Sequence, residues 1–196
     1  AEQFAELGRF FVHSGGETGY RLLISTLLPL LSQLVSDSQA AVRHAAGDGL
    51  VAVAELLRVE DQGQHILTTV LQLSHDDEQE DLRMAAVVLL NQLAKYLGPE
   101  LCHQFVTPEI VSLSEDPVFR VRKATALNIH NVCVTAGPQD TTERLLPAFL
   151  RLTQDDIWGV RKACAENLCA ISQAIDEPLR VEQLVGVQIG RASCRE

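Results

Sequence analysis

Residues 155–164 read DDIWGVRKAC, and three earlier stretches repeat their plan: DSQAAVRHAA at 37–46, DDEQEDLRMAA at 76–86 and DPVFRVRKAT at 116–125. Each holds an aspartate, four variable positions, an aliphatic residue, an arginine, one more position and an alanine. Asp37, Asp77, Asp116 and Asp155 thus stand six residues before Arg43, Arg83, Arg122 and Arg161, the second stretch starting one residue early at Asp76. Successive arginines are 40, 39 and 39 residues apart, within the range of two-helix solenoid repeats. Ala45, Ala85, Ala124 and Ala163 keep the register, as do Pro29, Pro108 and Pro147 eight residues before their aspartates, with Thr69 in that place in the second copy. An array of this kind has no single central cavity, so function is sought on a surface.

After each aspartate the apolar spacing is helical and one-sided: Val42, Ala45, Ala46, Leu50, Val53 and Leu57 in the first copy; Val121, Ala124, Leu127 and Val132 in the third. Leu50, Leu90, Ile129 and Leu168 share one position of the register, and Val53, Leu93, Val132 and Ile171 another, so each copy offers the same core layer. The aspartates suit the role of helix N-cap, and Asp116-Pro117 is the clearest such start. The second helices are predicted to begin near Ser38, Glu78, Pro117 and Asp156. The first helices are expected to bend at their prolines, which remove a backbone hydrogen bond.

The predicted organisation is all-α, an α-α superhelix of about four hairpins at 18–58, 60–98, 99–137 and 139–175. Asp61 to Gly63, Gly98-Pro99 and Gly137-Pro138 are read as the turns between hairpins. Residues 1–17, with Phe4, Leu7, Phe10 and Phe11 at helical spacing, read as an incomplete preceding repeat. The register projected onward calls for a proline at 186 and an aspartate at 194, where the chain has Gly186 and Cys194. Residues 176–196 are therefore expected to be a truncated or aberrant tail, in which a helix begun near Pro178 would leave an apolar face open.

Composition narrows the function. The 196 residues are 46% apolar but only 5% aromatic, so small aliphatic side chains fill the core. The longest apolar run, Leu22 to Leu31, is too short for a bilayer that needs about 20 residues. A formal charge of −10, with no basic stripe interleaved with aromatics, opposes nucleic-acid binding. Asp76, Asp77, Glu78, Glu80 and Asp81 crowd one turn, either as acids favoured at a helix start or as a patch for a basic partner. Five cysteines form no CxxC or Cys/His metal spacing; Cys133, Cys164 and Cys169 are expected to be small buried hydrophobes, and a reducing cytoplasm or nucleus fits. The six histidines are scattered, His130 falls at a variable helix position as a surface or satisfied residue, and no HExxH, P-loop or GxSxG motif occurs. No catalytic residue, cofactor or metal site is expected. The recurring arginines are expected to meet aspartates of the same or adjacent copies in a ladder along the stack.

Asp-x4-[V/L]-Arg-x-Ala after a proline-bearing helix, repeated at 39 to 40 residues, resembles the HEAT repeat over residues 20–175. Within that superfamily, residues 145–172 (LLPAFLRLTQDDIWGVRKACAENLCAIS) and 116–133 (DPVFRVRKATALNIHNVC) resemble the scaffold-type regulatory subunits of PP2A-like serine/threonine phosphatases. The resemblance implies a noncatalytic scaffold that binds a phosphatase catalytic subunit, of the PP4 type, and directs it to substrates. It also implies that the turns within hairpins form the contacting ridge: Asp37 to Ala41, Asp77 to Asp81, Asp116 to Arg120 and Asp155 to Gly159. Trp158, with Phe119, Arg120 and Asp156 beside it, is the favoured contact, since a large aromatic in a short polar turn has little local core to enter. Packing of Trp158 on its neighbouring repeat is the competing expectation. Two other readings stay open: a HEAT adaptor such as a nuclear transport receptor, and a HEAT-like metal enzyme.

Overall fold

A computed structural model of the chain describes residues 2–175 together with Glu177, Arg180 and Leu184. Among the described residues there are only helices, stacked as hairpins in two layers. The second helices are α3 (Ala40–Ala54), α6 (Glu80–Leu101), the pair α8 (Phe119–Leu127) and α9 (His130–Asp140), and α11 (Trp158–Gln173). Each packs on the next, and the first helices line up beside them. The expectation for residues 176–196 lies almost wholly outside the described residues.

The core follows the repeat register. Leu50, Leu90 and Ile129 are fully enclosed, as are Val53, Leu93, Val132 and Ile171, while Leu168 is partly buried. Each such side chain contributes on the order of 2 kcal/mol. Because every layer is shared by two hairpins, no hairpin buries its apolar face alone.

The first helices share a feature that the prolines do not explain. α1 (Glu2–Leu22) runs into α2 (Leu28–Leu34), α4 (Val59–Gln62) into α5 (Thr68–Ser74), the end of α6 into α7 (Thr107–Leu113), and the end of α9 into α10 (Leu146–Leu152). Each junction is one wide turn in which an amide bonds five residues back: Leu28 to the Leu23 carbonyl, Thr68 to Gly63, Thr107 to Cys102 and Leu146 to Thr141. Pro29, Pro108 and Pro147 follow the wide turn directly, where a missing N–H costs least. Thr69 occupies the same place with the same wide turn, its hydroxyl donating to the His65 carbonyl at 3.2 Å. The wide turn therefore does not depend on proline.

Predicted boundaries of two kinds move. The second helices begin at Ala40, Glu80, Phe119 and Trp158, two residues after the predicted starts, because the preceding residue in each is extended, as at Val118 (φ −89°, ψ 117°). The turn expected at Asp61 to Gly63 is helical; the chain reverses earlier, where Arg58 is extended (φ −66°, ψ 147°), and Asp61 instead accepts the Tyr20 hydroxyl at 2.6 Å. At Gly98 (φ 75°) and Gly137 (φ 86°) the reversals need the left-handed side of the map, which glycine alone enters cheaply. Gly16 (φ 51°) breaks α1 in the same way, and the arm before it packs on α3, with Gly8 against Leu56, Leu23 and Val53.

The third second-helix is interrupted at Asn128 (φ −123°, ψ 24°), in the middle of an apolar pattern that continues unbroken. Its freed groups are met from both neighbours. The Asn91 side chain accepts the Asn131 amide at 3.0 Å, and the Asn167 side-chain amide donates to the Ala126 carbonyl at 2.8 Å.

Candidate functional site

The turns between first and second helices have one construction. Each aspartate closes a tight loop by accepting the amide two residues on: Asp37 from Gln39 at 2.7 Å, Asp116 from Val118 at 2.8 Å and Asp155 from Ile157 at 2.8 Å. This is an Asx turn leading into the helix; the aspartate lies two residues before the N-cap position, which corrects the capping role expected of it. In the second turn the residue so used is Asp76, accepting Glu78 and Gln79 amides at 3.1 and 2.7 Å, so Asp76 and not Asp77 takes the structural place. The extra residue is absorbed inside that loop.

Each arginine ties its own turn, and two of the four also tie the next. Arg43, Arg122 and Arg161 donate from Nη1 to the carbonyls of Asp37, Asp116 and Asp155 at 2.6 to 2.8 Å, and Arg83 to that of Asp76 at 2.8 Å. Arg83 then reaches forward to Asp116 through Nε (2.7 Å) and Nη2 (3.2 Å), and Arg122 to Asp155 through Nε (2.6 Å) and Nη2 (3.1 Å). These forked pairs are largely sequestered from solvent, and the carboxylates hold both guanidinium pKa values above the ordinary arginine range against the opposing pull of burial. At the first step the pattern fails: Arg43 has only Asp81, through one contact at 3.3 Å. The Asp76 carboxylate accepts the Glu78 and Gln79 amides of its own loop, and among the described residues it receives no arginine fork of the kind that Asp116 and Asp155 take.

Above this ladder lies the exposed edge. Ala40, Glu80, Phe119 and Trp158 occupy the same first helical position, so the edge passes from small and polar at the first two turns to aromatic at the last two. Trp158 is 67% exposed and Phe119 42%. Ile157, also substantially exposed, stands beside Trp158 and extends its apolar surface; sequence reasoning missed it because its position holds Gln39 and Gln79 in the first two copies. Arg120 is tied back to Glu80 of the preceding turn at 2.7 Å, and Asp156 is exposed, its carbonyl taking Arg161 at 2.9 Å.

Chemical groups are otherwise quiet. Burial pushes the Cys102, Cys133 and Cys164 thiols up to about 12. Cys169, expected inside, is exposed on α11, and His130 is neither open nor satisfied, since its Nδ1 is enclosed with no hydrogen-bond partner among the described residues. Among the described residues no group of three or more His, Cys, Asp or Glu is placed to hold a metal ion, and no helix is long and apolar enough to cross a membrane.

Comparison with known proteins agrees with this geometry. The HEAT repeat family is matched at residues 145–175, which span α10 and α11. Serine/threonine-protein phosphatase 4 regulatory subunit 1 of Homo sapiens is 31% identical over 110 residues, 55% of this chain and 12% of the human protein. The same subunit of Mus musculus and of Rattus norvegicus matches at the same identity and extent. The chain thus covers about 12% of the length of these relatives. The chain is an all-α array of helical hairpins that matches the HEAT repeat at residues 145–175 and is similar over about half its length to a regulatory subunit of protein phosphatase 4.

Proposed function

We propose that this array is a noncatalytic regulatory scaffold whose turn ridge docks a PP2A-like serine/threonine phosphatase catalytic subunit, of the PP4 type, and directs it to substrates. The observation that carries the reading is the exposure of Trp158, Ile157 and Phe119 on two consecutive turns of one edge. Exposed aromatic surface on a rigid edge is what a protein interface anchors on. The ladder beneath holds those side chains at a fixed pitch, so the ridge is organised before binding and loses little freedom on contact. The relatives named as phosphatase regulatory subunits supply the partner class. A cytoplasmic or nuclear setting is supported by the described cysteines, all of which are free thiols.

The test is capture of purified protein phosphatase 4 catalytic subunit by this chain and by Trp158→Ala and Phe119→Ala variants of unchanged helicity. Loss of capture in both variants supports the reading; undiminished capture, or none by the parent chain, overturns it. Capture of a Ran-type GTPase instead would move the array to the transport-adaptor class.

A further inference from the structure

The failed first rung of the ladder coincides with an open groove. Between α3 and α6 lies a cleft of about 620 Å³, floored mainly by apolar atoms and open to solvent. α6 lines it with a stripe one helical turn apart, Met84 and Ala85, then Val88, then Gln92. α3 faces it with Ala40, His44 and Gly47, and Gly47 keeps the floor low because a methyl group there would stand 3.2 Å from Leu89 Cδ2. At steps two and three, where forked Arg–Asp pairs close the turns, Arg83–Asp116 and Arg122–Asp155 bind neighbouring hairpins together. At step one the single Arg43–Asp81 contact forms part of the cleft lining.

The charge around the groove has one sign in excess. Asp48 and Asp81 line it and are exposed, and Asp77 and Glu78 stand exposed in the lengthened turn just before α6. Arg43, the cation within the lining, is buried and already engaged by the Asp37 and Ser38 carbonyls and by Asp81. No cation pairs with Asp48, Asp77 or Glu78 among the described residues. The whole chain carries −10.

We infer that the α3–α6 groove is a docking site for a short basic peptide segment, an aliphatic side chain seated on Met84, Ala85 and Val88 and flanking Lys or Arg side chains meeting Asp48 and Asp81. Apolar anchorage supplies the affinity, and the acidic rim selects the partner and speeds encounter. The groove does not include Trp158 or Phe119, so it provides a second contact, apart from the aromatic end of the ridge, on the same array.

The experiment selects dodecapeptides from a randomised phage-displayed library on the full chain and measures the strongest as fluorescein-labelled peptides by anisotropy at physiological ionic strength. The selected peptides are expected to carry Lys or Arg on both sides of a Leu, Ile, Met or Val. Asp48→Lys and Ala85→Phe are each expected to weaken them on the order of tenfold or more, while Glu100→Lys and Trp158→Ala change binding less than about twofold. Asp48 is exposed, so its variant keeps the fold and decides the matter even where Ala85→Phe does not fold. Equal weakening by Glu100→Lys reduces the effect to bulk charge and overturns the inference. Selection of acidic or purely polar peptides, selection of none, or insensitivity to Asp48→Lys overturns it too. So does a concentration-dependent dimer that Ala85→Phe dissociates, because the occupant would then be a second copy of this chain.

Discussion

Arg122 holds Asp155 of the following turn in a fork, Nε to Oδ2 at 2.6 Å and Nη2 to Oδ1 at 3.1 Å, while its Nη1 closes its own turn on the Asp116 carbonyl at 2.8 Å. One guanidinium thus fastens two hairpins. The Asp155 carboxyl is pushed up by burial but pulled down further by Arg122, the Ile157 amide and the charge of Arg161, and ends below its ordinary value. A lowered folded-state pKa contributes stability that is complete above the unfolded carboxylate value, about 3.9, and is lost as pH falls through the folded value. Asp155→Asn is expected to cost about 2 kcal/mol at neutral pH and to flatten the decline of stability below about pH 4. Urea unfolding across an acid pH series measures both.

The rungs are unequal, and mutation should rank them. Arg83–Asp116 is forked and nearly closed to solvent, whereas Arg43–Asp81 is one contact to a carboxylate whose side chain is 57% exposed. Asp116→Ala leaves Arg83 without its partner and Val118 without its turn acceptor, and is expected to cost about 3 kcal/mol. Asp81→Ala is expected to cost less than about 1 kcal/mol. Equal losses in denaturant titrations would mean that the first rung is as strong as the others and that the reason given for the open groove is wrong.

The repeat was legible because four residue types recur in one register, and a recurring register leaves the chain few ways to bury Leu50, Leu90 and Ile129 other than layer on layer. What escaped was set by neighbours. Asp76 and Asp77 are chemically identical in the sequence, and only the loop's closure on the Glu78 and Gln79 amides shows which one takes the turn. Thr69 in a proline's place gave no sign that the wide turn persists without proline. The same limit applies to the candidate ridge: the sequence marks Trp158 as unusual for a turn, but whether an aromatic packs or projects depends on the surface beside it.

The interrupted helix offers a direct reading of contacts between repeats. Asn91 and Asn131 are 40 residues apart, and Asn91 accepts the Asn131 amide at 3.0 Å where α9 begins. Asn91→Leu leaves that amide unsatisfied in a part-buried place, at a cost of about 1 to 2 kcal/mol. Hydrogen exchange at the Asn131 amide should accelerate by roughly tenfold per 1.4 kcal/mol lost locally, while amides in α11 change little.

Gly98 and Gly137 test the reversals between hairpins without a steric complication. Both combine positive φ with ψ of 174°, a region in which L side chains are strained, and a methyl group at either would meet nothing within 4 Å. Alanine at either site is therefore expected to destabilise by about 1 to 3 kcal/mol through backbone strain alone. Gly159, helical and equally open in space, is the internal comparison, since alanine there should stabilise by roughly 0.5 to 1 kcal/mol. Thermal unfolding of the three variants distinguishes the cases, because loss at Gly98 and Gly137 with gain at Gly159 follows only where conformation, and not crowding, sets the cost. The Gly159→Ala variant also sits next to Trp158, so its capture of the phosphatase catalytic subunit shows whether a methyl group can be added to the ridge without disturbing its contact.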